Sequence, residues 1–190
     1  VLPYQYNILN DAIPGIEKSH AIENIRLAAE KLRGKDVKPD EFYGMVFQDS
    51  DVAKWIEAAA YALAAGEDPE LEKAVDETIQ LYGASQHEDG YVDSYFTVKC
   101  PDKMWTNICD AHELYCAGHM MEAAVAYYEV TGKRELLDIM SKSADCIYEQ
   151  FMKKNTRAYP GHPEVELALM RLWRATGNEK YKELAKHFVD

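Results

Sequence analysis

The segment from Ser50 to Leu63, Ser-Asp-Val-Ala-Lys-Trp-Ile-Glu-Ala-Ala-Ala-Tyr-Ala-Leu, decides the fold class. Its apolar residues recur at the spacing of one helix face: Val52, Trp55, Ile56, Ala59, Ala60 and Leu63. Ser50 and Asp51 stand just before this run and are suitable helix-capping residues. The segment therefore predicts an amphipathic helix with one buried face.

The same pattern continues outward from this helix. A second helix is predicted over 71–82, after Asp68 as a cap and Pro69 as the first helical residue. Further helices are predicted over 20–32, 111–130, 134–151, 163–175 and 181–188. No segment shows a convincing strand alternation, so the sequence predicts an all-α fold.

Three parts of the chain resemble one another. Glu57-Ala-Ala, Glu122-Ala-Ala and Glu166-Leu-Ala each lead through a glycine-containing turn into another amphipathic helix. Such αα-hairpins bury their apolar faces only by stacking, as in a solenoid or a closed toroid. We therefore expect residues 1–190 to form a single all-helical domain, part of an α/α toroid or barrel. The abrupt end of the last predicted helix suggests a piece of a longer chain.

Composition narrows the class of partner. The 190 residues are 47% hydrophobic and carry a formal net charge of -12, so nucleic acid and anionic membrane surfaces are repelled. No apolar run approaches the roughly 20 residues that span a bilayer. The four cysteines form no dense framework, which favours free thiols and a cytoplasmic location.

The loops predict where a site lies. Turns within hairpins are short, whereas the segments 85–110 and 153–162 between hairpins are long, and long loops usually carry function. These loops lead into the first helix of each pair, so helix N-termini gather at one end. Polar and aromatic residues lie there: Gln48, Asp49, Tyr91, Tyr95, Phe96, Trp105, His112 and Tyr159 to His162. The mixture suits a carbohydrate cleft, but composition is equally consistent with aromatic rings that only fill the gaps between hairpins.

Cys109, His112, Cys116 and His119 follow one another at helical spacing and superficially suggest a metal site. Their offsets spread them over roughly 15 Å of helix, whereas zinc ligands lie at about 2.0 to 2.3 Å from the metal. A buried stripe of thiols and polar histidines is therefore favoured, and no metal ligand is assigned in this chain.

The two histidines of greatest interest each have a structural alternative. His119 lies in an otherwise apolar helix, where a hydrogen-bonded core histidine is the simpler interpretation. His162 lies in the sharp turn from Pro160 to Pro163, where a capping role and a functional one are equally suitable. Glycosidases also need paired carboxylates. None of the candidates stands out as a catalytic acid: Asp49, Asp51, Glu57, Glu113, Glu122, Glu164 and Glu166.

Three motifs occur in order: Gly-Met-Val-Phe-Gln-Asp-Ser-Asp-Val-Ala-Lys-Trp from Gly44, His-Glu-Leu-Tyr-Cys-Ala-Gly-His-Met-Met-Glu-Ala-Ala from His112, and Tyr-Pro-Gly-His-Pro-Glu-Val-Glu-Leu-Ala-Leu from Tyr159. Together they make the chain similar to glycoside hydrolase family 127 over essentially its whole length. The resemblance implies an α/α-barrel catalytic domain that continues into further helices and β-sandwich domains.

The resemblance also implies an activity. Members release β-L-arabinofuranose with retention, using a cysteine nucleophile, a glutamate acid/base and a zinc ion held by cysteines and a glutamate. Those residues are expected beyond Asp190, so no catalytic residue or cofactor is assigned within the chain, zinc is implied for the full-length enzyme, and this part alone should be inactive. His119 and His162 match substrate-contacting histidines. His112, Gln48, Asp49 and Trp55 match motif positions without a fixed role and are further substrate-binding candidates.

A small carbohydrate is thus the expected partner, and a homodimer is an expectation for the full-length enzyme. Two alternatives remain. One is another α/α-barrel carbohydrate enzyme, such as an unsaturated glycuronidase or a sugar epimerase. The other is a non-catalytic helical-repeat scaffold that binds peptides along a concave face.

Overall fold

The computed structural model describes residues 15, 16, 18–154 and 158–190. Its α-helices, in chain order, are α1 (Ala21–Leu32), α2 (Asp49–Ala65), α3 (Pro69–Ala84), α4 (Ser94–Lys99), α5 (Glu113–Thr131), α6 (Glu135–Tyr148), α7 (Val165–Thr176) and α8 (Glu179–Val189). Short 3-10 turns cover Pro39–Glu41 and Pro101–Lys103, and a π-helical turn over Glu149–Lys153 extends α6. No strand occurs in these residues, so the all-α prediction is confirmed. No helix among them is both long and apolar enough to cross a membrane.

The predicted hairpins are present as α2 with α3, α5 with α6, and α7 with α8. Local chemistry sets their ends. The Asp68 carboxylate accepts the Leu71 N–H at 3.0 Å at the start of α3, as the sequence predicted. Gly132 and Gly177, at φ 74° and 72°, end α5 and α7 in the left-handed conformation.

The hairpins stack into two layers. Helix α5 packs against α2 on one side and α7 on the other, which makes these three the inner layer. Helices α3, α6 and α8 form the outer layer and enclose the core with them. Helix α5 is buried almost all round because it has neighbours on three sides. This curved double layer is part of an α/α toroid, as predicted from the repeats.

Each inner helix has a stripe of polar side chains on the face opposite the core. Each stripe follows helical spacing: Lys54, Glu57 and Tyr61 on α2, Tyr115, His119 and Glu122 on α5, and Glu164 and Arg171 at the start and middle of α7. Glu57 and Glu122 both pair with the Arg171 guanidinium. The matching glutamates of the first two repeats therefore bind the inner helices together, whereas one carboxylate oxygen of Glu166 is buried without a partner.

Helix α4 lies within the long loop predicted over 85–110. Its six residues are too few to show a helical period, so it was not predicted from the sequence. The Asp93 carboxylate caps it by accepting the Phe96 N–H at 3.0 Å, and its own residues Phe96 and Val98 are buried. The loop is therefore a packed element, and Ser94 joins it to the start of α2 through hydrogen bonds to Asp49.

Candidate active site

Two histidines meet where α5 begins. His112 precedes the helix in the left-handed conformation, at φ 63°, which is uncommon for a residue with a side chain. Its Nδ1 donates to the Asp110 carbonyl at 2.6 Å, and its Nε2 lies 3.1 Å from His162 Nε2. Because two bare nitrogens repel each other, one of these Nε2 atoms carries the shared proton. The Phe47 ring packs against His112 with the centroids 5.3 Å apart.

Tyr115 joins these two histidines to a third. Its ring centroid lies 5.6 Å from that of His112, 4.4 Å from His119 and 5.1 Å from His162. The structure thus brings three of the sequence-predicted residues around one aromatic ring. We call this group of four the histidine cluster. Tyr115 itself was not predicted, although its spacing from His112 and His119 places it on the same face of α5.

A carboxyl and an ammonium group flank the cluster. Glu164 Oε1 lies 3.2 Å from His119 Nδ1, and each side chain is 17% exposed. Burial, with the Lys54 cation nearby, lowers the pKa of His119 to about 4. Burial, with Glu122 and Glu57 nearby, raises the pKa of Glu164 to about 7. At neutral pH His119 is therefore an uncharged imidazole, suited to hydrogen bonding with a hydroxyl.

Two glycines allow the close approaches that form the cluster. A Cβ on Gly118 would lie 2.8 Å from Glu164 Cγ and 3.0 Å from the Val165 nitrogen, so only glycine lets α7 start directly against α5. A Cβ on Gly161 would lie 1.9 Å from the Cys109 carbonyl oxygen. The turn that carries His162 therefore rests on the backbone in front of α5.

Gln48 and Asp49 have other partners. Asp49 is buried and accepts the Ser94 N–H at 2.7 Å as well as the Ser94 hydroxyl. Gln48 accepts the Met45 N–H at 3.2 Å and donates to Asp51 at 2.8 Å. Among the described residues, neither forms a hydrogen bond with the histidine cluster. Both hold the loops at the start of α2, which the sequence motif alone did not reveal.

Trp55 lies away from the cluster. Its side chain is 6% exposed and belongs to the apolar core. It lines an open cavity of about 550 Å³ next to α1 and α3, together with Ile22, Thr78 and Leu81. Adjacent helical residues point about 100° apart, so Trp55 faces the outer layer while Lys54 faces the cluster. The structure does not bring Trp55 to the candidate site, and this cavity is separate from it.

Replacing Asp49 by alanine should destabilise the fold more than it affects a ligand. The Ser94 N–H and hydroxyl would both be buried without an acceptor, so we expect the free energy of unfolding to fall by about 1–3 kcal/mol. Urea denaturation measures this change. Asp36→Ala, at an exposed position, is the control and should change it by less than about 0.5 kcal/mol. Unchanged stability combined with weaker sugar binding would instead place Asp49 in the ligand site.

Three further buried ionisable side chains, Glu113, Cys116 and Cys146, lie outside the histidine cluster. Glu113 accepts the Tyr91 hydroxyl at 2.7 Å and the Trp105 N–H at 3.0 Å, and burial raises its pKa. Burial also raises the pKa of the Cys116 thiol, and that of Cys146 to about 12. These two thiols therefore stay protonated at neutral pH and are poor nucleophiles.

All four cysteines are free thiols. The predicted buried stripe of thiols and histidines is only partly buried. Cys109 is exposed before the helix, whereas Cys116 is buried within it. Among the described residues, no three His, Cys, Asp or Glu side chains are arranged to hold a metal ion. These residues thus do not fit the zinc ion that the family implies.

The double layer of paired helices, with imidazoles and a carboxyl group on its inner face, defines part of an α/α barrel. A family model described as the GH127 catalytic domain of β-L-arabinofuranosidase matches residues 3–190. The chain belongs to glycoside hydrolase family 127. This confirms the resemblance based on the three sequence motifs.

Individual relatives agree with this assignment. The chain is 40% identical to the non-reducing end β-L-arabinofuranosidase of Bifidobacterium longum subsp. longum, over 100% of this chain and 31% of the relative. A solved GH127 β-L-arabinofuranosidase from Geobacillus stearothermophilus T6 is 54% identical, with a TM-score of 0.83 over 100% of this chain and 29% of its own. A solved GH127 β-arabinofuranosidase is 34% identical, with a TM-score of 0.83 over 94% of this chain and 29% of its own. The chain thus spans about a third of the length of these relatives.

Proposed function

We propose that the protein acts as a retaining exo-glycosidase on β-L-arabinofuranosides, with His119 and His162 binding hydroxyls of the terminal sugar. The observation that carries this proposal is the convergence of both imidazoles on Tyr115, at the end of the inner layer where the long loops meet. The similarity to two β-L-arabinofuranosidases supports the choice of sugar.

The histidine cluster supplies binding and orientation. The His119 imidazole and the His162–His112 pair offer donors and acceptors suited to neighbouring hydroxyls, and the Tyr115 ring offers an apolar surface for C–H groups. Orientation of the sugar can lower the barrier substantially, because the reacting atoms no longer have to find each other. No nucleophile or acid/base residue is assigned among the described residues.

The test is hydrolysis of an aryl β-L-arabinofuranoside by the full natural chain. We expect His119→Ala and His162→Ala each to lower kcat/KM by about 100-fold, since a lost contact also misplaces the sugar. His187→Ala, on outer helix α8, is the control and should retain activity. Unchanged kinetics in both site variants would remove the site assignment.

A panel of glycosides separates the alternative activities. We expect release of L-arabinose from the β-furanoside, with little from the α-anomer. Cleavage of an unsaturated glycuronide, or interconversion of free sugars without hydrolysis, would instead favour another α/α-barrel carbohydrate enzyme. Peptide binding along the inner face without sugar affinity would favour a scaffold.

The proposal also covers the ligand, the location, the oligomeric state and the metal ion of the full-length enzyme. With its net charge of -12, the chain should have neither nucleic acid nor a membrane surface as a partner, and we propose a small carbohydrate as its ligand. We also propose a cytoplasmic location, a full-length enzyme that forms a homodimer, and a zinc ion bound outside the described residues.

A further inference from the structure

The Glu164 carboxyl is not used as a helix cap. Glu164 stands immediately before α7, where a side chain commonly accepts an N–H of the first turn, but it makes no such bond. Its Oε1 reaches across to α5 instead and lies 3.2 Å from His119 Nδ1. The Glu164 side chain therefore makes a contact between helices and no capping bond.

The surrounding backbone accommodates this contact. Gly118 lies within α5, where glycine costs about 1 kcal/mol relative to alanine. Any side chain there would meet Glu164 Cγ and the Val165 nitrogen. The glycine therefore gives up helix stability at the position that lets Glu164 reach His119.

The orientation of His119 is fixed on two sides. The Tyr115 ring packs edge to face with the imidazole, at a centroid distance of 4.4 Å and an interplanar angle of 87°. Glu164 occupies Nδ1. In the part of the chain that the structure describes, Nε2 has no hydrogen-bond partner, so it is the atom left for a ligand.

We propose that Glu164 is a positioning residue for His119: its ionised carboxylate accepts the Nδ1–H and so presents an unprotonated Nε2 that accepts a hydrogen bond from a substrate hydroxyl. The identity of the sugar rests on the proposed function above. The orientation and proton position of His119 are properties of this chain alone.

Charged groups from three helices set the pH range of this effect. Lys54 and Glu57 face the pair from α2, Glu122 faces it from α5, and Glu166 lies in the first turn of α7. The pKa of Glu164 is raised to about 7, chiefly by burial, while that of His119 is lowered to about 4. His119 thus stays neutral across the physiological range, and the carboxylate that fixes its proton becomes more populated as pH rises through 7.

Nitrogen NMR of the His119 ring tests the proposal without requiring activity. Well above neutral pH, the full chain should show a protonated Nδ1 and an unprotonated Nε2 at His119. Glu164→Gln keeps the size of the side chain but can both donate and accept, so the two nitrogen shifts should move towards each other. Glu129→Gln, an exposed change on α5 with His119, is the control and should leave both nitrogen shifts unchanged. Identical His119 shifts in wild type and Glu164→Gln would overturn the proposal.

Kinetics provide a second readout. We expect Glu164→Gln to lower kcat/KM by about 10–100-fold, by analogy with the carboxylate partners that orient metal-binding histidines. The variant should also lose a rise in kcat/KM through pH 7 that the wild type shows as Glu164 ionises. Glu164→Asp, which keeps the charge but shortens the reach, should lose rate in the same way. Equal rates and pH profiles in all three proteins would overturn the proposal.

The two readouts separate this inference from the proposed function. If the wild type hydrolyses no arabinofuranoside but Glu164→Gln shifts the His119 nitrogens, the proposed substrate is wrong and the positioning role stands. If the wild type hydrolyses the substrate and Glu164→Gln changes neither readout, the substrate stands and the positioning role is wrong.

Discussion

Gly161→Ala should lower kcat/KM for the arabinofuranoside by about 100-fold or more, because displacement of a binding group by 1 Å can cost that much. The added Cβ would lie 1.9 Å from the Cys109 carbonyl oxygen and 2.9 Å from its carbon. Those are backbone atoms in front of α5, so the turn must move away from them. His162 is the next residue and would lose its 3.1 Å contact with His112.

A matched glycine controls for the added methyl group. Gly66 ends α2 in extended backbone and has no atom within 4 Å of the position that a Cβ would take. Gly66→Ala should therefore retain full activity, and its stability should be unchanged or slightly higher. Changed NMR chemical shifts of the His162 and His112 rings in Gly161→Ala would locate the damage. Wild-type kcat/KM in Gly161→Ala would show that the turn need not rest on Cys109.

Arg171→Met should lower the free energy of unfolding by about 2–4 kcal/mol. The Arg171 guanidinium pairs with Glu57 on α2 and Glu122 on α5, and its side chain is 25% exposed. Removing one partner from a buried ion pair costs about 3–5 kcal/mol, and partial exposure reduces that loss through solvent screening. Guanidinium or thermal denaturation of the purified chain measures the change.

The double variant Arg171→Met with Glu122→Gln tests the mechanism. Burial raises the pKa of Glu122, so a neutral amide there should recover much of the stability lost with the arginine. For the same reason the loss in Arg171→Met should shrink at acid pH, where Glu122 takes up a proton. Arg134→Met removes an exposed pair with Asp138 and should cost less than about 1 kcal/mol. Equal losses in Arg171→Met and Arg134→Met would contradict the proposed network.

The ion network and the histidine cluster occupy the same inner face. Glu122 lies one turn beyond His119 on α5, and Arg171 lies two turns into α7 from Glu164. The network that joins α2, α5 and α7 therefore holds the helices that carry Lys54, His119 and Glu164. A site supported by rigid elements in this way keeps its geometry when a ligand binds.

Part of the candidate site could be anticipated from the sequence. The motif resemblance predicted His119 and His162 as site residues. The lengths of the loops predicted that they gather at one end. Tyr115 and Glu164 acquired their importance only from packing, because nothing in the local sequence shows which side chain of α7 reaches α5. Trp55 belongs to the same motif as Gln48, yet helical geometry turns it into the core.

The sequence by itself determined the long helices, their pairing and the family, but not the short helix α4, because apolar period, caps and turn glycines act between residues a few positions apart. It could not determine that Glu164 meets His119 or that His162 meets His112. Those contacts join residues 45 and 50 positions apart, and the curvature of the stacked hairpins sets their distances. The pKa values of both partners in the first contact follow from that same packing, since burial exists only once the layers have closed.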